Sequence, residues 1–449
     1  MAEHLLKKYS AAVPRYTSYP TAPHFHLGIG ARDYSSWLQA LDSQHRLSLY
    51  IHIPYCDRLC WFCACHTKHT LRYEPIAAYL KALHCEIQAV GRLVSKDVRV
   101  TAVHFGGGSP TMVRPQDLIA LMDALRSTFS FSDNAEISVE MDPNDLDQGR
   151  YDALAAIGMT RASLGVQDFD RKVQKTINRI QTFEQTRSVV DAVRARGVHS
   201  VNCDVLYGLP YQTLETLRDT VDKIISLDPD RVALFGYAHV PWMKKHQTMI
   251  PQEALPDAIA RYRQMKTAGE MLVQAGYEAV GIDHFAKPGD TLAKAMEEGE
   301  LRRNFQGYTD DSADALIGLG ASSIGKLPQG YVQNMVATGE YERMAKTDGL
   351  CIARGIALSV EDRVRAFVIE RIMCDFSFDL SALAALFGPA SLPAVEEAQQ
   401  FAEGDRDGLV HIEAGRFALT ETGKPFARSI AATFDTYLSN GRGRHSLAV

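Results

Sequence analysis

From about residue 47 the chain alternates short apolar runs with longer stretches whose apolar positions recur every three or four residues. The run LSLYIHIP (47–54) reads as a first strand, followed after a gap by the amphipathic helix PIAAYLKALHCEIQAVGRL. VTAVHF (100–105) is a second strand, with DLIALMDALRSTF as its helix. EISVEM (136–141) and RASLGV (161–166) are the next strands, with a helical stretch between them. FEQTRSVVDAVRARG precedes SVNCDVLYG, and TLETLRDTVDKIISL precedes RVALFGYAHV. A last helix, DAIARYRQMKTAGEMLVQAG, leads into EAVGIDHF. Strands alternating with helices of this length predict βαβ units and a parallel sheet, hence the α/β class. Six or seven short, mostly apolar strands fit a complete or partial (β/α) barrel better than an open doubly wound sheet.

The flanks break this pattern. Residues 1–46 contain PRYTSYPTA (14–22), whose prolines suit an ordered arm and not a helix. LRRNFQGYTDD (301–311) is a polar, aromatic loop. From about residue 356 the pattern turns helical, then gives two short strands, a turn and a helix, a winged-helix-like layout. The expected division is an arm (1–46), a barrel with its extension (47–355) and a mostly helical C-terminal domain (356–449).

Polar residues gather where the expected strands end. The cysteine run CDRLCWFCAC (56–65) follows the first, Gly106 to Ser109 the second, and Glu140 the third. Gln167 and Asp168 follow the fourth, Asp204 and Tyr207 close the fifth, and Ala238-His239 the sixth. Taken singly, such residues are ordinary caps and loop positions. Six in one topological place point to a shared pocket at the C-terminal end of a barrel.

Composition narrows the chemistry. The net charge of −6, from 48 Lys+Arg against 54 Asp+Glu, gives no support to a dedicated nucleic-acid binder. No apolar run is long enough for a signal-peptide core or a membrane helix, so a cytoplasmic location with reduced thiols is expected. Four of the eight cysteines fall in one ten-residue run, spaced C-x3-C-x2-C-x-C. Cys85, Cys203, Cys351 and Cys374 stand alone in apolar surroundings and read as small buried hydrophobes.

Three readings compete for the run. Unrelated thiols are improbable at this density. A zinc site would use two separated ligand pairs, whereas here there is one CxxC (Cys60–Cys63) with Cys56 and Cys65 beside it, although His52, His66 and His69 lie close in sequence. An iron–sulfur cluster accepts closely spaced thiolates because each can bind a different iron. With its preceding strand, Phe62 before the third cysteine, and GGG after the next strand, the motif resembles the radical S-adenosylmethionine (SAM) superfamily. Together with PRYTSYPTA, SLYIHIPYC, HFGGGSPT, GVQDF, DVLYGLP, NFQGYT and the fourth cysteine of CAC, the chain resembles the oxygen-independent coproporphyrinogen III oxidases from about residue 14 onward.

That resemblance implies a partial (β/α)6 TIM-like barrel, an arm over the substrate opening and a helical C-terminal domain. It implies Cys56, Cys60 and Cys63 as ligands of a [4Fe-4S] cluster whose fourth iron is left for SAM. Tyr50, Phe62, Gly107, Glu140 and Ile324 match positions holding that SAM. Gly108, Ser109, Gln167, Arg179, Asp204 and Ala238 match positions of a second SAM. The implied reaction is oxidative decarboxylation of two propionates of coproporphyrinogen III to vinyls in haem synthesis. It starts from a 5′-deoxyadenosyl radical. A low-potential electron donor such as flavodoxin or ferredoxin, a monomeric state, and no nucleic-acid or membrane partner go with it.

Arg15, Arg302 and Arg303 are candidates for the propionates, with Phe305 and Gln306 beside them, because arginine suits carboxylates geometrically. His52 and Cys65 are catalytic candidates, for proton or electron handling near the substrate. Two alternatives stand beside this. Haem chaperones of the same family share the barrel and the three-cysteine motif but lack the fourth cysteine and the arm, both present here. A radical SAM enzyme acting on RNA is suggested only by the winged-helix-like end, which carries no basic stripe.

Overall fold

Six parallel strands follow one another around a curved sheet: β1 (Arg46–Ile53), β2 (Arg99–Gly107), β3 (Ser130–Met141), β4 (Arg161–Gln167), β5 (Ser200–Tyr207) and β6 (Arg231–Gly236). The structure, a computed structural model, describes residues 3–9, 11–144 and 146–438. The last part of the expected C-terminal domain, residues 439–449, lies outside the described residues. The helices Glu74–Gly91, Pro115–Thr128, Gln148–Ala156, Phe183–Arg194 and Leu214–Leu227 return the chain between strands, and Ala258–Gln274 follows β6. Two of them start at full capping boxes, in which Thr182 and Thr213 exchange hydrogen bonds with Gln185 and Thr216.

Side-chain alternation divides each strand between two environments. In β4, Ala162, Leu164 and Val166 are buried against the helices, while Arg161 and Ser163 face the barrel interior. The same parity turns Leu47, Leu49, Ile51 and Ile53 of β1 into the apolar core and leaves Ser48, Tyr50 and His52 inside the barrel. His104, Glu136, Ser138, Glu140, Asn202 and Asp204 occupy corresponding interior positions on β2, β3 and β5. The interior is therefore polar and the helix-facing layer apolar.

Both edges of the sheet extend beyond the parallel core to give twelve strands. β1 also pairs in parallel with Ala315–Leu319, so the parallel set has a seventh member that the sequence pattern did not single out. Beyond it Ile324–Leu327, Gly330–Asn334 and Ile352–Ala357 add antiparallel strands. At the other edge EAVGIDHF, expected as one strand, is two: Glu278–Val280 and His284–Ala286 pair antiparallel with each other, and the latter with β6. Gly281 makes the reversal with φ +59°, in contact with Tyr308, where any Cβ would lie 2.1 Å from the ring. The sheet stays open between Glu278–Val280 and Ile352–Ala357.

The arm runs between the barrel and the C-terminal region. Arg428 donates to the Val13 carbonyl (2.7 Å), Tyr16 to Asp435 (3.0 Å) and Arg15 to the Gly236 carbonyl at the end of β6 (2.9 Å). The C-terminal region packs the helices Val360–Asp375, Leu380–Phe387 and Leu392–Gly404 against a three-stranded sheet and the short helix Ala427–Ala431. Two of those strands, Val410–Glu413 and Arg416–Leu419, are the hairpin read from the sequence, and Ser377–Asp379 completes the sheet.

Candidate active site

The segment after β1 leaves the sheet at Ile53, and its backbone is clamped from two sides. On one side Trp61 donates its amide to the Ile177 carbonyl and Asn178 its side-chain amide to the Leu59 carbonyl, each at 2.9 Å. On the other, the loop after β6 supplies Lys244 to the Cys65 carbonyl, His246 to the Cys63 carbonyl (both 2.7 Å) and Gln247 to the Phe62 carbonyl (2.9 Å). With its carbonyls held by neighbours, the loop has its thiols to present. None of the four cysteines is in a disulfide.

Cys56, Cys60 and Cys63 lie close enough to feel one another's charge. Burial first, then the neighbouring thiolates, push the Cys56 thiol up. Hydrogen bonds from Cys65 outweigh burial and bring the Cys63 thiol down. One cation serves all three: Arg179, buried, stands 3.6 Å from Cys60 Sγ and lowers each thiol. Its own charge is balanced by Asp142 at 2.7 Å, and it donates to the Gly165 carbonyl at 2.9 Å. Among the described residues no three His, Cys, Asp or Glu side chains close on a single metal ion. A cluster whose irons each take one thiolate does not require such convergence. The donor set of three neighbouring thiols beside one paired arginine thus fits a [4Fe-4S] cluster.

Behind the loop lies a cavity of about 220 Å³. Tyr50, His52, Gly107, Glu140 and Ile324 line it together with Cys65, Phe305 and Gln306, so eight of the residues chosen from the sequence meet in one space. His52 is fully engaged. Its Nε2 donates to the His66 carbonyl (3.1 Å), which leaves Nδ1 to accept from the Tyr50 hydroxyl (2.9 Å). Burial holds its imidazole down at about 4, so it is neutral near pH 7. The expected proton donor is thus occupied as a neutral brace for the Cys65–His66 backbone. Gly107, at φ +111°, lets the ring approach to where a Cβ would sit 2.5 Å away.

Glu140 accepts from the Gly107 amide (3.0 Å) and from His104 Nε2 (3.1 Å). Burial opposes its charge, but these bonds and the nearby imidazoles hold its carboxyl below the usual value. A carboxylate beside an open space is ready for a hydroxyl-bearing or cationic ligand. Asp204, on the neighbouring interior row, accepts from Asn202 (2.8 Å) and is pushed by burial up to about 7.

The remaining candidates sit around the loop. Gly108 and Ser109 donate their amides to the Ile53 and Tyr55 carbonyls and extend the β1–β2 pairing past the sheet. Gln167, at φ +69°, lies beside Gly165 as Arg179 does. The Ala238 carbonyl accepts from Gln247, the residue that also holds Phe62. The Phe62 ring packs into an apolar cluster with Val173, Ile177, Leu209 and Ile250.

Among the substrate candidates, Arg302 does not reach the common space: it is half-exposed and faces Glu370 at 3.5 Å. Arg15 and Arg303 do come together, with two arginines that no sequence pattern singled out. Arg261, on the helix Ala258–Gln274, and Arg428, on Ala427–Ala431, join them around a cavity of about 320 Å³ at the ends of β5 and β6. Lys424 lines it too, against only Asp283 and Glu421. Arg303 lies over the Tyr308 ring (4.5 Å) and 4.0 Å from Asp283. Burial and the charges of Arg15 and Arg303 pull the Arg428 guanidinium down to about 10. Arg261 Nε and Arg303 Nη1 are buried without a hydrogen-bond partner. Gly208, at φ +80°, makes room for the Arg261 guanidinium, which a Cβ would meet at 2.5 Å. Such an excess of buried, underused donors is suited to carboxylates.

Residues 50–224 match the family model of the Radical SAM superfamily, and residues 358–426 that of the HemN C-terminal domain. The chain is 46% identical to the oxygen-independent coproporphyrinogen III oxidase of Paracoccus denitrificans, over 98% of this chain and 97% of that one. It is 47% identical to the enzyme of that name from Bradyrhizobium diazoefficiens, over 97% of each chain. The chain belongs to the oxygen-independent coproporphyrinogen III oxidase family. A solved member of that family, coproporphyrinogen III oxidase from Escherichia coli, described as a radical SAM enzyme, superposes with a TM-score of 0.91 at 36% identity, covering 97% of this chain and 99% of that one. The family's fold therefore extends through the arm, the barrel and the C-terminal region.

Proposed function

We propose that this chain carries out oxygen-independent oxidative decarboxylation of two propionates of coproporphyrinogen III, giving the vinyls of protoporphyrinogen IX for haem synthesis. Its cofactors are a [4Fe-4S] cluster and SAM. The observation that carries the reading is that one barrel holds both the three-thiol loop with its shared Arg179, whose Cys65 lines a cavity with Glu140, and a cluster of four arginines at the ends of β5 and β6. When bound, cluster and SAM supply one-electron cleavage of SAM and a carbon radical able to take a hydrogen atom from a propionate β-carbon.

The residues of the chain bind and orient. Cys56, Cys60 and Cys63 hold the cluster, and Cys65, which donates to Cys63, lines the space beside it. Tyr50, Gly107, Glu140 and Ile324 receive the SAM that reacts, with the Glu140 carboxylate as its polar anchor. Phe62 acts from beneath, as apolar support of the loop. Gly108, Ser109, Gln167, Asp204 and Ala238 are placed to receive a second SAM. Arg15, Arg261, Arg303 and Arg428 bind propionate carboxylates, and Phe305 and Gln306 contact the substrate from the cavity beside Cys65. His52 keeps the Cys65–His66 backbone in place. The arm and the C-terminal region cover the opening and exclude water and oxygen.

Among the described residues no helix is long and apolar enough to cross a membrane. A cytoplasmic monomer reduced by a low-potential carrier is the setting that suits this chemistry. The test is an anaerobic incubation of the reconstituted protein with SAM, a reductant and coproporphyrinogen III. Formation of 5′-deoxyadenosine together with vinyl products supports the proposal. Stable stoichiometric haem binding without vinyl products would replace it with a haem-carrier function.

A further inference from the structure

The clamp around the cysteine loop has an outer face that the proposed chemistry leaves unused. Its parts close into a ring. The loop touches the helix Arg171–Thr176 and the residues after it through Trp61–Ile177 and Leu59–Asn178. It touches residues 239–252 through Lys244, His246 and Gln247. Just beyond that segment the Ala254 carbonyl accepts from the Tyr211 amide (2.9 Å), and Lys172 lies 4.0 Å over the Tyr211 ring, back on the helix. Val173, Ile177, Leu209 and Ile250, with Trp61 and Phe62, form one apolar cluster beneath the ring. The face is therefore a single supported surface, with the cluster-binding loop built into it.

Its outer side is apolar and positively charged. Tyr211, Trp242, Met243 and Met249 are 41%, 47%, 64% and 55% exposed, four large hydrophobic side chains grouped on one ring. Apart from Arg179, which is buried against Asp142, residues 54–72, 171–183 and 239–252 carry eight Lys and Arg against a single acid, Asp57, in a chain whose net charge is −6. Asp170 and Glu253 bound these segments in the sequence, and Asp170 is spent capping the helix Arg171–Thr176. Lys68, Arg171, Lys172, Lys175 and Lys245 are exposed. An exposed apolar patch rimmed by one sign of charge marks a docking site, and charge of that sign steers the opposite partner.

We propose that this face docks an acidic protein that carries one electron at low potential, in a flavin or an iron–sulfur centre. Trp242 and Met243 form the apolar contact and Lys172, Lys175 and Lys245 the electrostatic rim. This rests on the function proposed above, which needs one electron from outside the chain for each SAM cleaved. The partner's reduced centre loses that electron and the cluster gains it, with no atom transferred. The Lys244, His246 and Gln247 bonds make the docking loop continuous with the backbone of Cys65, Cys63 and Phe62, so the partner's centre comes to rest beside the cluster loop. An anionic lipid surface or RNA would suit the charge but would gain nothing from this position.

The probe is flavodoxin, in two arms. In the first, binding of flavodoxin to the cluster-loaded protein is measured by titration calorimetry at low and at physiological salt, for the native chain and for Lys172→Glu/Lys175→Glu/Lys245→Glu and Trp242→Ala. Affinity is expected to fall with salt, and at low salt to fall about tenfold or more in the triple variant and by several-fold in Trp242→Ala. In the second arm, 5′-deoxyadenosine formation is driven by reduced flavodoxin or by dithionite. The triple variant is expected to lose turnover with flavodoxin and keep it with dithionite. Unchanged flavodoxin affinity in the triple variant overturns the docking proposal, as does native binding to anionic vesicles or tRNA that the same reversals abolish while flavodoxin binding is untouched. Failure of dithionite to support SAM cleavage in the native protein would instead count against the proposed function, and the binding arm would still decide the docking.

Discussion

Replacing Arg179 by methionine removes the one cation common to the three cluster thiols while keeping much of the side-chain volume. Arg179 and Asp142 retain only 10% and 13% of their side-chain exposure and are 2.7 Å apart, so the pair is a buried one. Removing one member leaves a buried carboxylate without its counter-ion, which costs about 3–5 kcal/mol. An exposed pair at the same distance would cost about 0–1 kcal/mol. The bonds to the Gly165 carbonyl and Gln181 go as well. Urea denaturation of the reduced, metal-free protein under argon measures the loss. The double variant Arg179→Met/Asp142→Leu is expected to recover most of it, because neither charge is then left alone. Cluster retention separates stability from chemistry. Without the cation the thiols are harder to ionise, so both variants are expected to hold less iron after gel filtration at pH 7 than the native chain. A loss below about 1 kcal/mol for Arg179→Met, or full iron retention in the double variant, would refute the view that this pair organises the thiols.

Three other outcomes follow from the same geometry. Cys56→Ser, Cys60→Ser and Cys63→Ser are each expected to lose the cluster's iron and its absorbance, whereas Cys65→Ser keeps both; iron loss in Cys65→Ser would mean a different ligand set. Arg261→Ala, Arg303→Ala and Arg428→Ala are expected to raise KM for coproporphyrinogen III at least about tenfold each with iron content unchanged, since a charged hydrogen bond contributes about 1.5–3 kcal/mol, while Arg302→Ala changes it little. Glu86 is buried and accepts from Gly320 (2.8 Å), Tyr341 (2.7 Å) and Asn334 (2.5 Å), and burial pushes its carboxyl up to about 7. The folded chain thus holds a proton that the unfolded chain has already released, so this group's contribution to stability is full below about pH 4 and lost as pH rises through 7, at up to about 1.4 kcal/mol per unit. Urea midpoints from pH 5 to 8 should show this fall in the native protein and a flatter profile in Glu86→Gln.

Much of the fold could be read because its strands and helices carry different periods. β1 to β6 announce themselves as short apolar runs between amphipathic helices, and Cys65, Gly107 and Glu140, after the first three of them, line one cavity. The edges were harder to see. Ile324–Leu327 and Gly330–Asn334 are four and five residues long and flank a Pro-Gln turn, too short to establish a period of two. Gly281 divides EAVGIDHF by adopting a positive φ that no hydrophobic pattern encodes. The cysteine spacing marked the loop, but the groups that hold it act on its backbone carbonyls, for which Lys244, His246 and Gln247 have no signature. Arg261 and Arg428 come from a barrel helix and the C-terminal region. An arginine on a helix reads as a solvated charge until the tertiary fold brings it beside Arg15 and Arg303.

The decisive measurement is the product balance of an anaerobic reaction containing the cluster-loaded protein, SAM, a low-potential reductant and coproporphyrinogen III. Protoporphyrinogen IX is expected, with a 5′-deoxyadenosine formed for each vinyl group. SAM cleavage without any vinyl product would keep the radical SAM chemistry and contradict the assigned substrate.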